Sequence, residues 1–146
     1  IGGEWGHNPL PAMTPDEAPG APCYCGRRGC IESFLSGPAV AREWASAGHE
    51  ALTATEIAAL AESGDARAEA CLSRYEERLA RALGSIQNVI DPHVIVLGGG
   101  LSNIERLYRT VPPLIPRYVF SDAVTVRVVK AAFGDSSGVR GAAWLW

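Results

Sequence analysis

Residues 94–105, VIVLGGGLSNIE, decide the architecture. Val94-Ile95-Val96-Leu97 is a continuous apolar run of strand length, preceded by the turn signal Asp91-Pro92, and it predicts a strand buried on both faces. Gly98-Gly99-Gly100 ends the run. Ser102 and Glu105 then have capping-box spacing, so a helix is expected over residues 101–111, interrupted by Pro112 and Pro113 and able to resume through Leu114 and Ile115. Strand, glycine loop and helix together make a place where backbone amides and a helix dipole can meet a phosphate. The glycines match neither GxxxxGK[ST] nor GxGxxG, and a plain tight turn is an equal reading of them at this point.

Downstream, Val124, Val126 and Val128 alternate with Thr125, Arg127 and Val129, which predicts a second strand. Gly134-Asp135-Ser136-Ser137 is expected to cap a last helix that ends in Trp144-Leu145-Trp146. Two strands joined through a helix imply a parallel pair with a right-handed crossover. Two parallel strands alone do not make a covered sheet, so its remainder is expected upstream of Ile1 or in a partner. Upstream of residue 94 the pattern is helical. Gly37-Pro38 opens a short helix carrying Val40, Ala41, Trp44 and Ala45, and it ends at Gly48. Thr53 and Glu56 form a capping box ahead of Ile57, Leu60 and Ala61. Leu72, Tyr75, Leu79, Leu83, Ile86 and Ile90 keep a helical period from Asp65 onward, with Glu77 and Arg81 as a favourable i,i+4 pair. The class is α/β, in three stretches: a loop region over 1–32, a helical segment over 33–91 and an α/β segment over 92–146.

At 146 residues the chain is about one domain long and apolar enough to bury a core without disulfides. The net charge of -3 is made of interspersed signs with no basic stripe, which argues against nucleic-acid binding. No apolar run approaches the roughly 20 residues that cross a bilayer, and the amino end lacks signal-peptide regions, so a cytoplasmic location is expected. The chain opens at Ile1 directly into a glycine-rich loop, as a fragment would.

The richest chemistry lies in residues 7–32, HNPLPAMTPDEAPGAPCYCGRRGCIE. Cys23 and Cys25 are one residue apart, Gly26 and Gly29 allow tight turns, and Cys30 returns a third sulfur. With His7 these make a four-ligand set suited to zinc, closed and therefore structural. A disulfide between two of the cysteines is the alternative and needs an oxidising compartment. Cys71, in an alanine-rich helical stretch, reads as a small core hydrophobe. Glu4, His7 and Glu32 offer the carboxylates and imidazole that grip vicinal hydroxyls, although exposed glutamates also serve simply as solvated surface. His49 and His93 read as surface or helix-end residues.

Glu4-Trp5-Gly6-His7, Cys23-Tyr24-Cys25-Gly26 and Gly29-Cys30-Ile31-Glu32 together resemble the signature of the ROK family of repressors, open-reading-frame proteins and sugar kinases. Residues 94–103 and 134–146 are similar to the later part of the same family, and IGGEWGHNPLP is most similar to its bacterial fructokinases, some of which accept mannose. The resemblance implies the truncated carboxyl-terminal domain of an actin-like (ribonuclease-H-like) ATPase fold, with a zinc-binding loop. It implies zinc on His7, Cys23, Cys25 and Cys30; sugar on Glu4, His7 and Glu32; and nucleotide near Gly98 and Gly99. The implied activity of the whole protein is transfer of a phosphoryl group from ATP, with magnesium, to a hexose, and the implied assembly is a homodimer. The longer stretch between His7 and Cys23 fits the fructokinase branch better than glucokinase-type members. The family's Asp-x-Gly-x-Thr phosphate loop and Asn-Asp pair are absent, and Asp16, Asp91 and Asp135 do not replace them, so no catalytic residue is assigned here and the isolated chain is expected to be inactive. A sugar-sensing repressor with an upstream winged helix is the alternative, and a zinc-stabilised interaction module is a third reading.

Overall fold

A computed structural model describes residues 3–134 and 136–144. Its spine is the helix α4 (Ala66–Ile90), which starts where the Asp65 carboxylate accepts from the Arg67 and Ala68 amides and stops at Asp91, in the left-handed region ahead of Pro92. Leu72, Tyr75, Leu79 and Leu83 are buried along it as the periodicity requires, whereas Ile90 is 67% exposed. The apolar stripe thus outruns the core by a turn.

Three shorter helices, α1 (Glu32–Leu35), α2 (Gly37–Ser46) and α3 (Ala54–Glu62), pack against α4. Ser36 accepts from the Ala39 amide at the start of α2, with Pro38 in its first turn. The Thr53–Glu56 capping box opens α3 as expected. Trp44, Ile57 and Cys71 meet in the core, and burying side chains of this size contributes about 1.5–3 kcal/mol each for the larger ones. Arg81, however, does not pair with Glu77. It turns to Glu17 at 2.6 Å, and Glu77 instead takes the Tyr118 hydroxyl and Arg117. A charge-assisted pair out of water outweighs an exposed i,i+4 pair worth a few tenths of a kcal/mol.

The strands β1 (Val94–Leu97) and β2 (Arg127–Lys130) are parallel, in the register Val94 to Arg127 through Leu97 to Lys130. β1 is not buried on both faces among the described residues: Val94 and Val96 are 42% and 59% exposed, while Ile95 and Leu97 pack on the core. Among the described residues, one layer covers this two-stranded sheet. β2 also begins later than the valine alternation suggests, since Val124 and Val126 precede it and pack on the core as loop residues.

The helix expected over 101–111 is broken. A 3-10 turn at Gly100–Asn103 is followed by α5 (Leu107–Thr110) and a second 3-10 turn at Ile115–Tyr118. Ser102 is no helix cap: its buried hydroxyl donates to the Gly99 carbonyl, and Glu105 pairs with Lys130. Extended backbone at Ile104 interrupts the helix and lets Ile104, Leu107, Val111 and Ile115 all enter the core. Burial has overridden a local capping signal. The last helix, α6 (Ser137–Ala143), has Ser136 at its N-cap position, while the expected Asp135 cap and the Leu145-Trp146 end lie outside the described residues. No described helix is long and apolar enough to cross a membrane.

Candidate functional site

The loop before α1 folds back on itself through backbone hydrogen bonds. Leu10 N–H donates to Gly29, Gly29 N–H to Ala21, and Ile31 N–H to Asn8, while Cys23 and Arg27 close a tight turn at 2.8 Å. Gly26 and Gly29 have φ of +86° and +70°, the conformation expected for them from sequence. Gly20 is needed for a second reason. A Cβ there would sit 2.3 Å from the Gly29 Cα, so the two strands of the loop touch backbone to backbone.

This fold-back brings His7, Cys23, Cys25 and Cys30 together, with their ligand atoms all within 4.8 Å of one another. The Cys23 Sγ to His7 Nδ1 distance is 3.5 Å and the Cys25 Sγ to Cys30 Sγ distance is 3.6 Å. Edges of about 3.8 Å follow from a zinc tetrahedron with Zn–S bonds of about 2.3 Å, so two of these edges already match the metal and the donor set suits it. All the cysteines are free thiols, which sets the disulfide alternative aside. The Arg27 backbone amide is the main influence drawing the Cys25 thiol down to about 6, whereas burial first, then the neighbouring sulfurs, push Cys30 up to about 11. A divalent cation is the group that relieves such crowding of sulfurs.

Anchorage of the loop comes from Glu17. Its carboxylate accepts from Arg78 Nε at 2.8 Å and from both terminal nitrogens of Arg81, at 2.9 and 2.6 Å, and the Thr14 amide donates to it at 2.9 Å. Burial pushes this carboxyl up, but the bonds from Arg81 and Arg78 outweigh it and hold the group at about 2. Arg78 also reaches Glu43 and lies over the Phe34 ring. Sequence reasoning missed this cluster. Its signal is two arginines three residues apart beside the apolar stripe of α4, where solvated charges are out of place.

Of the three expected sugar residues, His7 and Glu32 lie together, with Glu32 Oε2 3.6 Å from His7 Nδ1. Glu32 begins α1, and Glu4 stands exposed at the start of the 3-10 turn Trp5–His7. Tyr24, to which the sequence assigned no role, places its hydroxyl 2.9 Å from His7 Nε2. His49 stacks obliquely near Trp44 with ring centroids 4.2 Å apart, and His93 is exposed; neither joins the site.

Gly98 and Gly99 line a cleft of about 790 Å³ whose other walls are the starts of α2 and α3, at Ser36 to Pro38 and Thr53 to Thr55. Two helix N-termini facing one glycine loop favour an anion. Leu35 is also in the wall, so α1, a single turn long, runs from Glu32 beside His7 to the edge of this cleft.

The ROK family model matches residues 1–146. The chain is 41% identical to an N-acetyl-D-glucosamine kinase of Yersinia pseudotuberculosis (serotype O:1b), over 99% of this chain and 49% of the relative. Among solved structures, a ROK hexokinase from Thermus thermophilus superposes with a TM-score of 0.78 at 29% identity, covering 98% of this chain and 48% of that one. A ROK family glucokinase from Streptomyces griseus, in complex with glucose and AMPPNP, gives 0.82 at 25% identity, covering 99% and 51%. A ROK family transcriptional regulator, homologous to the E. coli MLC protein, gives 0.69 at 24% over 86% of this chain and 33% of its own, a likeness of fold alone. The chain spans about half the length of these kinases. Its matched length, its parallel α/β pair and its superposition place it in the actin-like ATPase fold, and it belongs to the ROK family.

Proposed function

We propose that this chain is the zinc- and sugar-binding half of an ATP-dependent hexose kinase. The observation that carries the reading is His7. One of its nitrogens faces the three sulfurs and Glu32, so a zinc held there would set the imidazole and the carboxylate against a sugar. In this reading zinc fixes the shape of the loop and takes no part in phosphoryl transfer, since four protein ligands fill its coordination. Glu4, His7 and Glu32 bind and orient the hexose. Gly98 and Gly99 receive the nucleotide of an ATP–magnesium complex. A sugar hydroxyl attacks the γ-phosphorus, the bond to the β–γ bridging oxygen breaks, and the hydroxyl proton passes to a base that we do not assign to this chain. A cytoplasmic, homodimeric enzyme belongs to the same proposal.

The expected hexose from sequence is fructose or mannose. The 41% identity to kinases named for N-acetyl-D-glucosamine supports that 2-acetamido sugar as the first to test. A repressor sensing sugar through the same residues is the second reading, kept by its fold likeness to the ROK regulator, but identity is higher to the kinases. A coupled assay of the full-length protein with N-acetylglucosamine, glucose, mannose and fructose tests the proposal. ATP-dependent turnover of at least one sugar, with a raised KM for that sugar in Glu32→Ala, is expected. Turnover of none, together with sugar-dependent release from DNA, would establish the repressor instead.

A further inference from the structure

Tyr24 stands between two of the sulfur residues with its ring 83% exposed, yet its hydroxyl is held 2.9 Å from His7 Nε2 and its ring stands edge-on to the imidazole at 5.0 Å between centroids. His7 has two nitrogens. Nδ1 faces Cys23 and Glu32, at 3.5 and 3.6 Å, and is the one that a metal among the sulfurs would take as its ligand. A neutral imidazole bound through Nδ1 carries its single proton on Nε2, so Nε2 has one hydrogen bond to donate. The Tyr24 hydroxyl stands 2.9 Å away, where it would accept that bond. A sugar hydroxyl seeking His7 needs the same N–H, and the two acceptors are mutually exclusive in the linear geometry that a strong hydrogen bond requires. Tyr24 therefore addresses the imidazole that the kinase reading gives to the sugar.

We propose that Tyr24 sets the sugar affinity of this site by exchange: its phenol occupies the His7 Nε2 donor when sugar is absent and yields it to a sugar hydroxyl when sugar binds. The inference rests on the kinase reading for His7 as a sugar ligand. An exposed ring beside Gly26, whose φ is +86° and around which the structure leaves open space, can leave the imidazole without disturbing any buried side chain. The price of the exchange is the intramolecular bond, so the sugar binds more weakly than His7 alone would allow. A net hydrogen bond of ordinary strength corresponds to about a 2- to 10-fold effect on Kd.

The test is calorimetric titration of the full-length, zinc-loaded protein, wild type and Tyr24→Phe, with N-acetylglucosamine, glucose, mannose and fructose, alongside elemental analysis for zinc. Tyr24→Leu, which also lacks the acceptor, serves as a second variant. The expected result is unchanged zinc and about 2- to 10-fold tighter binding, in both variants, of whichever sugar the wild type binds. Equal or weaker binding in both variants overturns the exchange and leaves the kinase reading standing. Loss of zinc in both shows Tyr24 to be a support of the metal loop, which also overturns it. Absence of any sugar binding by the zinc-loaded wild type overturns the kinase reading and the exchange together.

Discussion

Glu17→Gln isolates one interaction on which the whole metal loop hangs. The side chain of Glu17 is 8% exposed, and those of Arg78 and Arg81 are 10% and 6% exposed, so all three charges are largely out of water. The neutral amide keeps the size of the carboxylate and one accepting oxygen, but it removes the charge and turns an NH2 group toward arginines, one of which, Arg81, already has an Nε lacking an acceptor. Removing one partner of such a buried pair costs about 3–5 kcal/mol. The depressed carboxyl points to a similar size. Glu17 is held at about 2 against an ordinary 4.5, and at ~1.4 kcal/mol per pH unit this corresponds to ~3 kcal/mol. Because the folded value is the lower one, that stability is fully present above about pH 4.5 and is lost as pH falls toward 2. Urea unfolding of wild type and Glu17→Gln, followed by tryptophan fluorescence, to which the buried Trp44 contributes, reads both quantities. A difference below about 1 kcal/mol at pH 7, or one that fails to shrink between pH 5 and 2, would refute the claim that this carboxylate anchors the loop.

Other substitutions probe other parts of the site. Cys25→Ser should lose the zinc, seen by elemental analysis, because a hydroxyl is a poor replacement for a thiolate ligand. Gly20→Ala should destabilise by about 2–5 kcal/mol in thermal or urea unfolding, as its Cβ would strike the Gly29 backbone at a position whose φ is +77°. Glu32→Ala should raise the KM for sugar about 10- to 150-fold with little change for ATP, the loss of a charged hydrogen bond. Gly99→Val should do the reverse, raising the KM for ATP about 5- to 30-fold through strain at φ +74° while sugar binding measured by calorimetry stays the same.

The sequence announced the helices because their signals are local. Thr53 with Glu56, Asp65 ahead of an amphipathic run and Asp91-Pro92 behind it are satisfied within a turn or two of chain. The metal cluster was legible for the same reason, three of its four residues lying within eight positions. Ser102 and Glu105 misled because their capping spacing competed with Ile104, whose place in the core required the helix to break. Contacts across long stretches of chain left no such mark. Glu17 finds Arg78 and Arg81 more than sixty residues away, and Tyr24 finds His7 across seventeen, and in neither case does spacing announce the partner.

Arg106 grips α4 at Glu69 and Glu76, while Glu17 grips it at Arg78 and Arg81. The segment that carries the glycine cleft and the loop that carries the sulfurs are thus riveted to one rod. From Glu69 to Arg81 the rise is ~18 Å at about 1.5 Å per residue, a span fixed by helical geometry and insensitive to whatever the loops hold. The separation between the two anchor points then behaves as a constant of the molecule. In the proposed kinase, a sugar and a nucleotide would then approach by this half moving as a single lever arm, not by flexing these elements against each other.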